Sequence, residues 1–277
     1  MRASESAREI VHVYESVGEL AAVGIGNLDL FLRSRELCEE WHGVSTLDDL
    51  RALVSDGWLS ESSVAMDVAS DAVELVEQEH DLTSFRPMWD VSGCEVDVGR
   101  YLAGEPDNMI DYEITQTVRS GRVIVLCASA SYSGAVSSDT IKKRGHGIAA
   151  LAFALSKLGF ATELWVDVSS LGPDGKTAGR FRAKVKGPND ALDPALIMFA
   201  YSHPAVLRTL FMPAMHEVPE RFQEALAVGA SYGTPLDPKR DLEEGAIYLP
   251  AVSSNDDVPE AKEALLAHLR ELGVLDS

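Results

Sequence analysis

The feature that most constrains the fold is the order of strand, small-residue loop and long helix in residues 122–158. Residues 122–128 (RVIVLCA) are almost entirely apolar, as in a strand that is buried on both faces of a sheet. Residues 129–139 are rich in Ser, and residues 140–158 carry the apolar periodicity of a helix that ends at Gly159. This order is typical of α/β proteins, in which helices connect the strands of a parallel sheet.

The remaining elements of the second half extend the α/β pattern. The residues GPDGKT predict a hairpin turn, because Pro, Asp and Gly favour tight turns. In chain order, the pattern predicts a strand at 162–168, its return strand at 180–186, a helix capped by Asp193, a short strand at 246–249 and a helix at 259–272. We therefore predict an α/β fold in which a mostly parallel sheet is flanked by helices and carries one antiparallel edge strand.

The predicted edge strand has the alternating sequence RFRAKVK. The alternation places Phe181, Ala183 and Val185 toward the core and leaves basic side chains on the opposite face, namely Arg180, Arg182, Lys184 and Lys186. Positive charge on an edge strand discourages pairing with another sheet, which is the interpretation we favour. The alternative is a basic patch that binds a carboxylate or phosphate group of a partner.

The chain divides into three predicted parts. Residues 1–82 have the pattern of an N-terminal helical region. Residues 83–118 combine Pro and Gly with short alternating runs, which predicts an irregular strand and turn clasp that packs over the core or forms a lid. Residues 119–277 form the predicted α/β domain.

The charge balance limits the classes of partner. With 44 acidic and 24 basic side chains, the formal net charge of the 277 residues is −20 at pH 7. A field of that sign repels nucleic acid and anionic membranes, so we expect neither as a partner. The three cysteines lie far apart and no apolar run is long enough for a membrane span, which favours a reduced cytoplasmic setting.

Catalytic and cofactor motifs do not match in detail. GPDGKT lacks the first glycine of a phosphate-binding P-loop, since Ser170 occupies that position. Cys127 is not followed by the arginine of a phosphatase signature, because position 133 is a serine, so we interpret this cysteine as a buried small residue. The histidines show no metal-ligand spacing. We assign no catalytic residue, metal or cofactor, and we favour a non-enzymatic protein over an enzyme.

The stretch VLCASAS places Cys127, Ser129 and Ser131 where the DxSxS motif of a metal site would stand, and Thr234 in SYGTPL matches the threonine of a later loop. On these residues, the region of about residues 120–275 resembles a von Willebrand factor A (vWA) domain. The resemblance implies a vWA/Rossmann-like sheet with its site at the carboxyl edge. Because Cys127 replaces the aspartate, and hydroxyl groups alone do not offset the desolvation of a hard cation, it implies a degenerate site without metal.

Three longer stretches carry a second resemblance. They read WHGVSTLDDLRALVSDGW, CEVDVGRYLAGEPDNMI and SYSGAVSSDTIKKRGHGIAAL. They are similar to a family of uncharacterised proteins encoded in tailed-phage genomes. This resemblance spans nearly the whole chain and implies a viral origin, with the cytoplasm of the host cell or the virion as the location.

Together these observations favour a non-enzymatic module that binds a viral or host protein through the rim at the carboxyl ends of the strands. The predicted rim residues are Ser129, Ser131, Ser133, Asp139, Thr140 and Thr234. Contacts with an anionic group are predicted for Lys142, Lys143, Arg144 and His146. One alternative is an enzyme that binds a phosphate-bearing ligand on the Ser/Gly loop 129–140. A second alternative is a structural component of the virion. The oligomeric state is left open.

Overall fold

The structure, a computed structural model, describes residues 1–80, 85–93, 95–114, 123–133, 136–236 and 246–273. Its strands are, in chain order, β1 (Arg2–Glu5), β2 (Glu9–Tyr14), β3 (Phe85–Asp90), β4 (Glu95–Val96), β5 (Met109–Ile114), β6 (Val123–Ser129), β7 (Ala161–Leu171), β8 (Ala178–Lys186), β9 (Thr234–Pro235) and β10 (Ile247–Leu249).

The helices lie between and after these strands. They are α1 (Val17–Gly26), α2 (Leu28–Leu32), α3 (Glu39–His42), α4 (Leu47–Asp56), α5 (Leu59–His80), α6 (Val98–Leu102), α7 (Ser138–Lys157), α8 (Pro194–Ser202), α9 (Met212–Ala214), α10 (Glu220–Ala225) and α11 (Ala261–Glu271). A π-helical turn at Val206–Phe211 joins α8 to α9, and short 3₁₀ turns occupy Met215–Glu217 and Asn255–Asp257.

The main sheet has the strand order β1-β2-β8-β7-β6-β10, with β9 added against β7. The pairs β2–β8, β7–β6 and β6–β10 are parallel, whereas β1–β2, β8–β7 and β7–β9 are antiparallel. The predicted α/β class, with a mostly parallel sheet flanked by helices, is confirmed, although the sheet is mixed and has more than the one antiparallel strand that was predicted. The core lies between α7, α5 and α8 and the fully buried side chains of the central strands, among them Leu126, Leu164, Val166 and Phe181.

The structure corrects the prediction that RFRAKVK is an edge strand. Strand β2 pairs with β8 in parallel on the side away from β7, so β8 lies inside the sheet. Two basic side chains of β8 pair with acidic side chains at the two ends of β2. Arg180 Nε donates to Glu9 Oε1 at 2.6 Å, and Lys184 Nζ lies 3.4 Å from Oε2 of Glu15, the residue after β2. The positive charge therefore joins two neighbouring strands instead of protecting an edge. The predicted inward positions on this strand are buried, as expected.

The N-terminal region also differs from the prediction. Residues 1–82 are not wholly helical, because β1 and β2 form one end of the main sheet. The alternating sequence EIVHVY fits a strand, with every second residue buried. Helix α4 begins at Leu47, and its cap Thr46 forms a capping box with Asp49. Helix α5 packs against α7, α8 and α11, so the helices of this region belong to the layer that covers the sheet.

The predicted clasp contains a small antiparallel sheet of its own, with the order β3-β5-β4. Helix α6 follows β4, and its cap Asp97 accepts a hydrogen bond from Trp89 Nε1 at 3.0 Å. The guanidinium of Arg100 stacks over the Trp89 ring at 4.5 Å. The boundaries predicted at residues 82/83 and 118/119 both lie outside the described residues.

The GPDGKT segment is a hairpin turn, as predicted, between β7 and β8. Asp174 holds it together, because its carboxylate accepts hydrogen bonds from the backbone of Lys176 and Thr177 and from the Thr177 hydroxyl. Gly175 adopts a φ of +65°, a backbone conformation that favours glycine.

Within the described ranges, no single helix is both long and apolar enough to cross a membrane. The helices Pro194–Ser202 and Val206–Glu217 are apolar together, but they meet at 68° and most of their side chains are buried in the core.

Candidate binding site at the carboxyl edge of the sheet

Two of the predicted rim hydroxyls lie below the surface. Ser129 is the last residue of β6, between β7 and β10, and only 3% of it is exposed; Ser131 is 7% exposed. The backbone N–H of Ser131 donates to Ser129 Oγ at 3.2 Å. After Ser131, the chain stays paired with residues beyond β10, since Tyr132 forms a parallel bridge with Val252. The expectation that Ser129 and Ser131 present their hydroxyls to a partner is therefore not met, whereas Ser133 is exposed.

The N-terminus of α7 is already occupied by groups of the same chain. The helix is capped by Ser137, before the predicted start at Asp139 or Thr140, and Ser137 Oγ accepts the Thr140 N–H at 3.2 Å. Asn255 Oδ1 accepts both the Ser137 N–H and the Thr140 hydroxyl at 2.9 Å. Asp139 is exposed and belongs to the first turn. These contacts satisfy donors that a phosphate would otherwise use.

Thr234 approaches the same edge from a different part of the chain. Strand β9 pairs with the last residues of β7, and Thr234 Oγ1 lies 3.4 Å from the Leu171 carbonyl oxygen. A cavity of about 160 Å³ lies here, and Ser131, Ser170 and Gly233 are among the residues that line it. The structure thus brings Ser131 and the 233–235 segment to one cavity, as the vWA resemblance implies for Ser131 and Thr234, although Thr234 itself is exposed and does not line it.

The predicted anion contacts of α7 have carboxylate partners within the chain. Lys142 Nζ lies 2.5 Å from Glu61 Oε1, and Lys143 Nζ lies 2.7 Å from Glu260 Oε1. His146 Nε2 is 3.8 Å from the same Glu61, and its pKa is lowered mainly by burial. In so acidic a chain, helix cations find carboxylates on neighbouring elements, here α5 and the residue before α11. The structure therefore gives these side chains partners within the chain, and their contact with an external anion stays a prediction.

Arg144 has a structural role. Its side chain is buried, and its guanidinium donates to the carbonyl oxygens of Ser129 at 2.9 Å, Leu249 at 3.0 Å and Pro250 at 2.6 Å. These carbonyls stand at the carboxyl ends of β6 and β10. Arg144 thus holds together the two strand ends that the sequence predicted as a binding rim, and it is not an anion contact.

A smaller pocket of about 70 Å³ lies under the rim, with Tyr132, Tyr201 and His203 in its wall. The Tyr132 hydroxyl donates to the Tyr201 carbonyl oxygen at 2.5 Å. His203 packs edge-on against Trp58 at 4.7 Å between ring centres, and burial, with the charge of Lys142, lowers its pKa to about 4. A buried, neutral imidazole of this kind supports the loop and offers no charge to a ligand.

Beside the rim the sheet contains a buried acid that the sequence analysis did not identify. Asp167 on β7 stands opposite Ser129 in the register, and none of it is exposed. Its carboxylate accepts hydrogen bonds from Ser169 Oγ at 2.7 Å and from the Tyr248 hydroxyl at 3.2 Å. Burial raises the pKa of Asp167. Burial also raises the pKa of the nearby Cys127 thiol, and the charge of Asp167 raises it further. The sequence signal for this residue is an acid between two valines in the strand sequence LWVDVSS.

The residues that replace the vWA metal ligands do not suit a divalent cation. Cys127 is buried as predicted, its thiol is held protonated by burial, and the Ser129 hydroxyl is engaged by the Ser131 backbone. Across the described part of the chain, no three His, Cys, Asp or Glu side chains come together as a ligand set. Hard cations require several oxygen ligands with carboxylate charge, which this arrangement lacks.

Comparison with known proteins gives a family and no activity. Neither curated proteins nor solved structures give a match. Residues 3–276 match the family model "Domain of unknown function (DUF7192)", which covers nearly the entire chain. The protein therefore belongs to the DUF7192 family.

Proposed function

We propose that this protein is a non-enzymatic binding module whose partner is another protein, of viral or host origin. The observation that carries the proposal is a concentration of exposed apolar side chains in the small sheet, a name that from here on includes the turn after β3 and helix α6. Of the fourteen large apolar side chains that are exposed among the described residues, six lie in residues 89–102: Trp89, Val91, Val96, Val98, Tyr101 and Leu102. Exposed apolar clusters of this kind mark protein contacts, and Trp and Tyr are frequent at the centres of such contacts.

The rim is the second surface of the proposed module. Ser133, Asp139 and Thr234 are its exposed members, and they offer hydroxyl and carboxylate groups rather than apolar area. Protein interfaces combine an apolar centre with polar surroundings, so the small sheet and the rim are suited to different parts of a contact. A vWA-like arrangement is supported by the order β8-β7-β6-β10 with β8 antiparallel, and it remains part of the proposal.

Two observations weigh against the alternative of a phosphate-binding enzyme on loop 129–140. The cations of α7 are engaged by carboxylates and carbonyl oxygens of the chain itself. The two cavities lined by residues of this loop measure about 160 and 70 Å³, below the range of roughly 300–1,000 Å³ that is usual for small-molecule sites. A third cavity, of about 600 Å³, lies beside Lys143 and Arg144 between α7, α11 and residues 249–252, and none of the predicted rim residues lines it. A macromolecular partner needs neither a deep cavity nor free cations.

The test is affinity purification of the full chain from infected bacterial cells, with mass spectrometry to identify a partner. The partner is then tested against Leu102→Asp on the small sheet, Thr234→Asp on the rim and Ser63→Asp on the exposed side of α5 as a matched charge control. We expect Leu102→Asp to weaken binding at least tenfold, since the substitution places a charge within an apolar contact. Thr234→Asp should weaken binding less, and Ser63→Asp should leave it unchanged. Absence of any specific partner, or equal binding by all three variants, would contradict the proposal.

A further inference from the structure

A cavity next to the loop after α2 has the size of a ligand site. It measures about 580 Å³ and lies between the loop after α2, helix α3 and residues 229–232. Its aromatic wall consists of Phe31, Trp41 and Tyr232. Tyr232, with Ser231 and Met212, also lines the smaller cavity at the rim, so the two spaces are neighbours.

Two arginines in the wall of this cavity have no carboxylate partner. Among the described residues, the side chains of Arg33 and Arg35 take part in no hydrogen bond and no ion pair, and only their backbone N–H groups donate, to Asp29 and Leu32. Glu36 also lines the cavity, but it forms no ion pair with either arginine. In a chain with a net charge of −20, where the cations of α7 pair with carboxylates, two such guanidinium groups at one cavity are unusual. Guanidinium groups bind carboxylates and phosphates with two parallel hydrogen bonds.

A thiol and an imidazole complete the wall. Cys38 is exposed, and its Sγ lies 3.6 Å from His42 Nδ1, which also accepts the Cys38 backbone N–H at 3.0 Å. Nδ1 is therefore an acceptor, and the proton of the neutral ring resides on Nε2. His42 is 6% exposed, and no described residue accepts a hydrogen bond from its Nε2. A buried imidazole in a cavity wall with a free donor suits a ligand that carries an oxygen acceptor.

The aromatic wall is held in place by contacts behind it. The Arg208 guanidinium stacks on the Trp41 ring at 3.8 Å and donates to the Trp41 carbonyl oxygen at 2.5 Å, while about half of Trp41 remains exposed. The Tyr232 hydroxyl lies 3.1 Å from His216 Nε2. Tyr232 has a φ of +58°, and Arg33 and Ser34 also have a left-handed backbone, at +49° and +70°. Such conformations are strained for residues other than glycine and are retained where the surrounding structure requires them.

We propose that this cavity binds a small organic anion that carries a flat ring. The ring packs against Trp41 and Tyr232, and the phosphate or carboxylate group is held by Arg33 and Arg35. The cavity shares Met212, Ser231 and Tyr232 with the cavity at the rim, but no exposed rim residue and no residue of the small sheet lines it, so its test is independent of the proposed function.

Cys38 provides a reporter within the cavity. Every protein in this test carries the substitution Cys94→Ser, which removes the cysteine that lies outside the described residues. Cys127 is buried, and we expect it not to react. We compare alkylation of Cys38 by iodoacetate, which is anionic, and by iodoacetamide, which is neutral. The matched control is the variant Cys38→Ser with Ser63→Cys on the same acidic protein. The iodoacetate to iodoacetamide rate ratio should be at least about fivefold higher at Cys38 than at the control cysteine, because local positive charge concentrates anions. Arg33→Gln with Arg35→Gln should abolish the difference while the melting temperature stays unchanged.

The ligand class is tested by protection of Cys38 from iodoacetamide. Adenosine monophosphate and benzoate represent the phosphate and carboxylate forms, and adenosine and inorganic phosphate test the ring and the anion alone. We expect adenosine monophosphate or benzoate at millimolar concentration to slow alkylation at least threefold, and the stronger of the two identifies the acid group. Neither adenosine nor phosphate should match that effect, and the double arginine variant should lose it. Equal rate ratios at the two cysteines, or no protection by either organic anion, would overturn the proposal.

Discussion

The basic residues of α7 and those of the loop after α2 differ in what surrounds them. Lys142, Lys143 and Arg144 form the densest cationic run of the chain, yet each contacts an acid or a set of carbonyls from another element. Arg33 and Arg35 are less conspicuous in the sequence, and among the described residues they pair with no carboxylate. In a strongly acidic protein, the number of cations in a segment therefore says little about anion binding. What matters is whether the fold supplies an internal partner.

The largest expected effect concerns Arg144. Arg144→Ala removes the donor to three carbonyl oxygens at the ends of β6 and β10, of which that of Ser129 belongs to a buried residue. We expect the free energy of unfolding to fall by about 4 kcal/mol. The matched control is Lys143→Ala on the same helix, whose exposed ion pair should contribute less than about 1 kcal/mol. Urea denaturation measures both, and a similar small loss for the two variants would mean that Arg144 is not structural.

The second prediction concerns pH and His203. Because burial lowers the pKa of His203 to about 4, the unfolded chain binds a proton more readily than the folded chain between that value and the ordinary pKa near 6.5. The stability that this histidine contributes is present above pH 6.5 and is lost as the pH falls toward 4, by up to about 3 kcal/mol.

Carboxylates with lowered pKa, such as Asp174, weaken the fold at still lower pH, so the informative quantity is a difference between variants. We expect wild type to lose more stability between pH 7 and 4.5 than His203→Asn, measured by urea denaturation at each pH. Parallel curves for the two proteins would show that His203 does not titrate in this way.

The third prediction separates the two predicted rim positions that share one edge of the sheet. Ser131→Asp places a charge at a buried site and should lower the free energy of unfolding by about 2 kcal/mol. Thr234→Asp introduces the same side chain at an exposed site and should change it by less than about 0.5 kcal/mol. Thermal melts of the two variants test the difference directly. Equal destabilisation would mean that Thr234 is packed and does not belong to an open rim.

The smallest expected effect lies in the GPDGKT turn. Asp174→Ala removes three hydrogen bonds that close the turn, and we expect a loss of about 1 kcal/mol. Lys176→Ala in the same turn should cost less than about 0.5 kcal/mol, because its side chain is exposed. A larger effect for Lys176 than for Asp174, in stability or in the binding of any ligand, would restore the P-loop interpretation.

Individual strands, helices and turns are easier to predict from this sequence than the contacts between them. The apolar run of β6, the periodicity of α7 and the turn at Asp174 depend on local chemistry, and the structure has each of them. The pattern RFRAKVK by itself predicts an edge strand, because nothing in it reveals that Glu9 and Glu15, far away in the chain, lie beside β8. The internal partners of Lys142 and Arg144 were missed for the same reason, since pairing is decided by tertiary contacts.

For the candidate sites too, the sequence predicts what depends on local chemistry and misses what depends on tertiary contacts. Cys127 was interpreted as buried from its place at the end of an apolar strand, and local sequence sufficed. The cavity at Cys38 was not predicted, because its wall combines residues 31–42 with Met212 and residues 229–232, and no short motif joins them. The left-handed backbone at Arg33 and Tyr232 gives no warning in the sequence, since neither residue is a glycine.

The parallel pairing of β2 with β8 has a consequence for how the chain is made. Glu9 stands opposite Ala178 in this pair, so β2 leaves the ribosome about 170 residues before its partner exists. At roughly 5–20 residues per second, the strand waits on the order of 10–30 s with its edge toward β8 unpaired. Pairing between segments so distant in sequence is also slow in the complete chain. We therefore expect β6, β7 and β8 to pair first, and β1 and β2 to join the sheet only after β8 has formed.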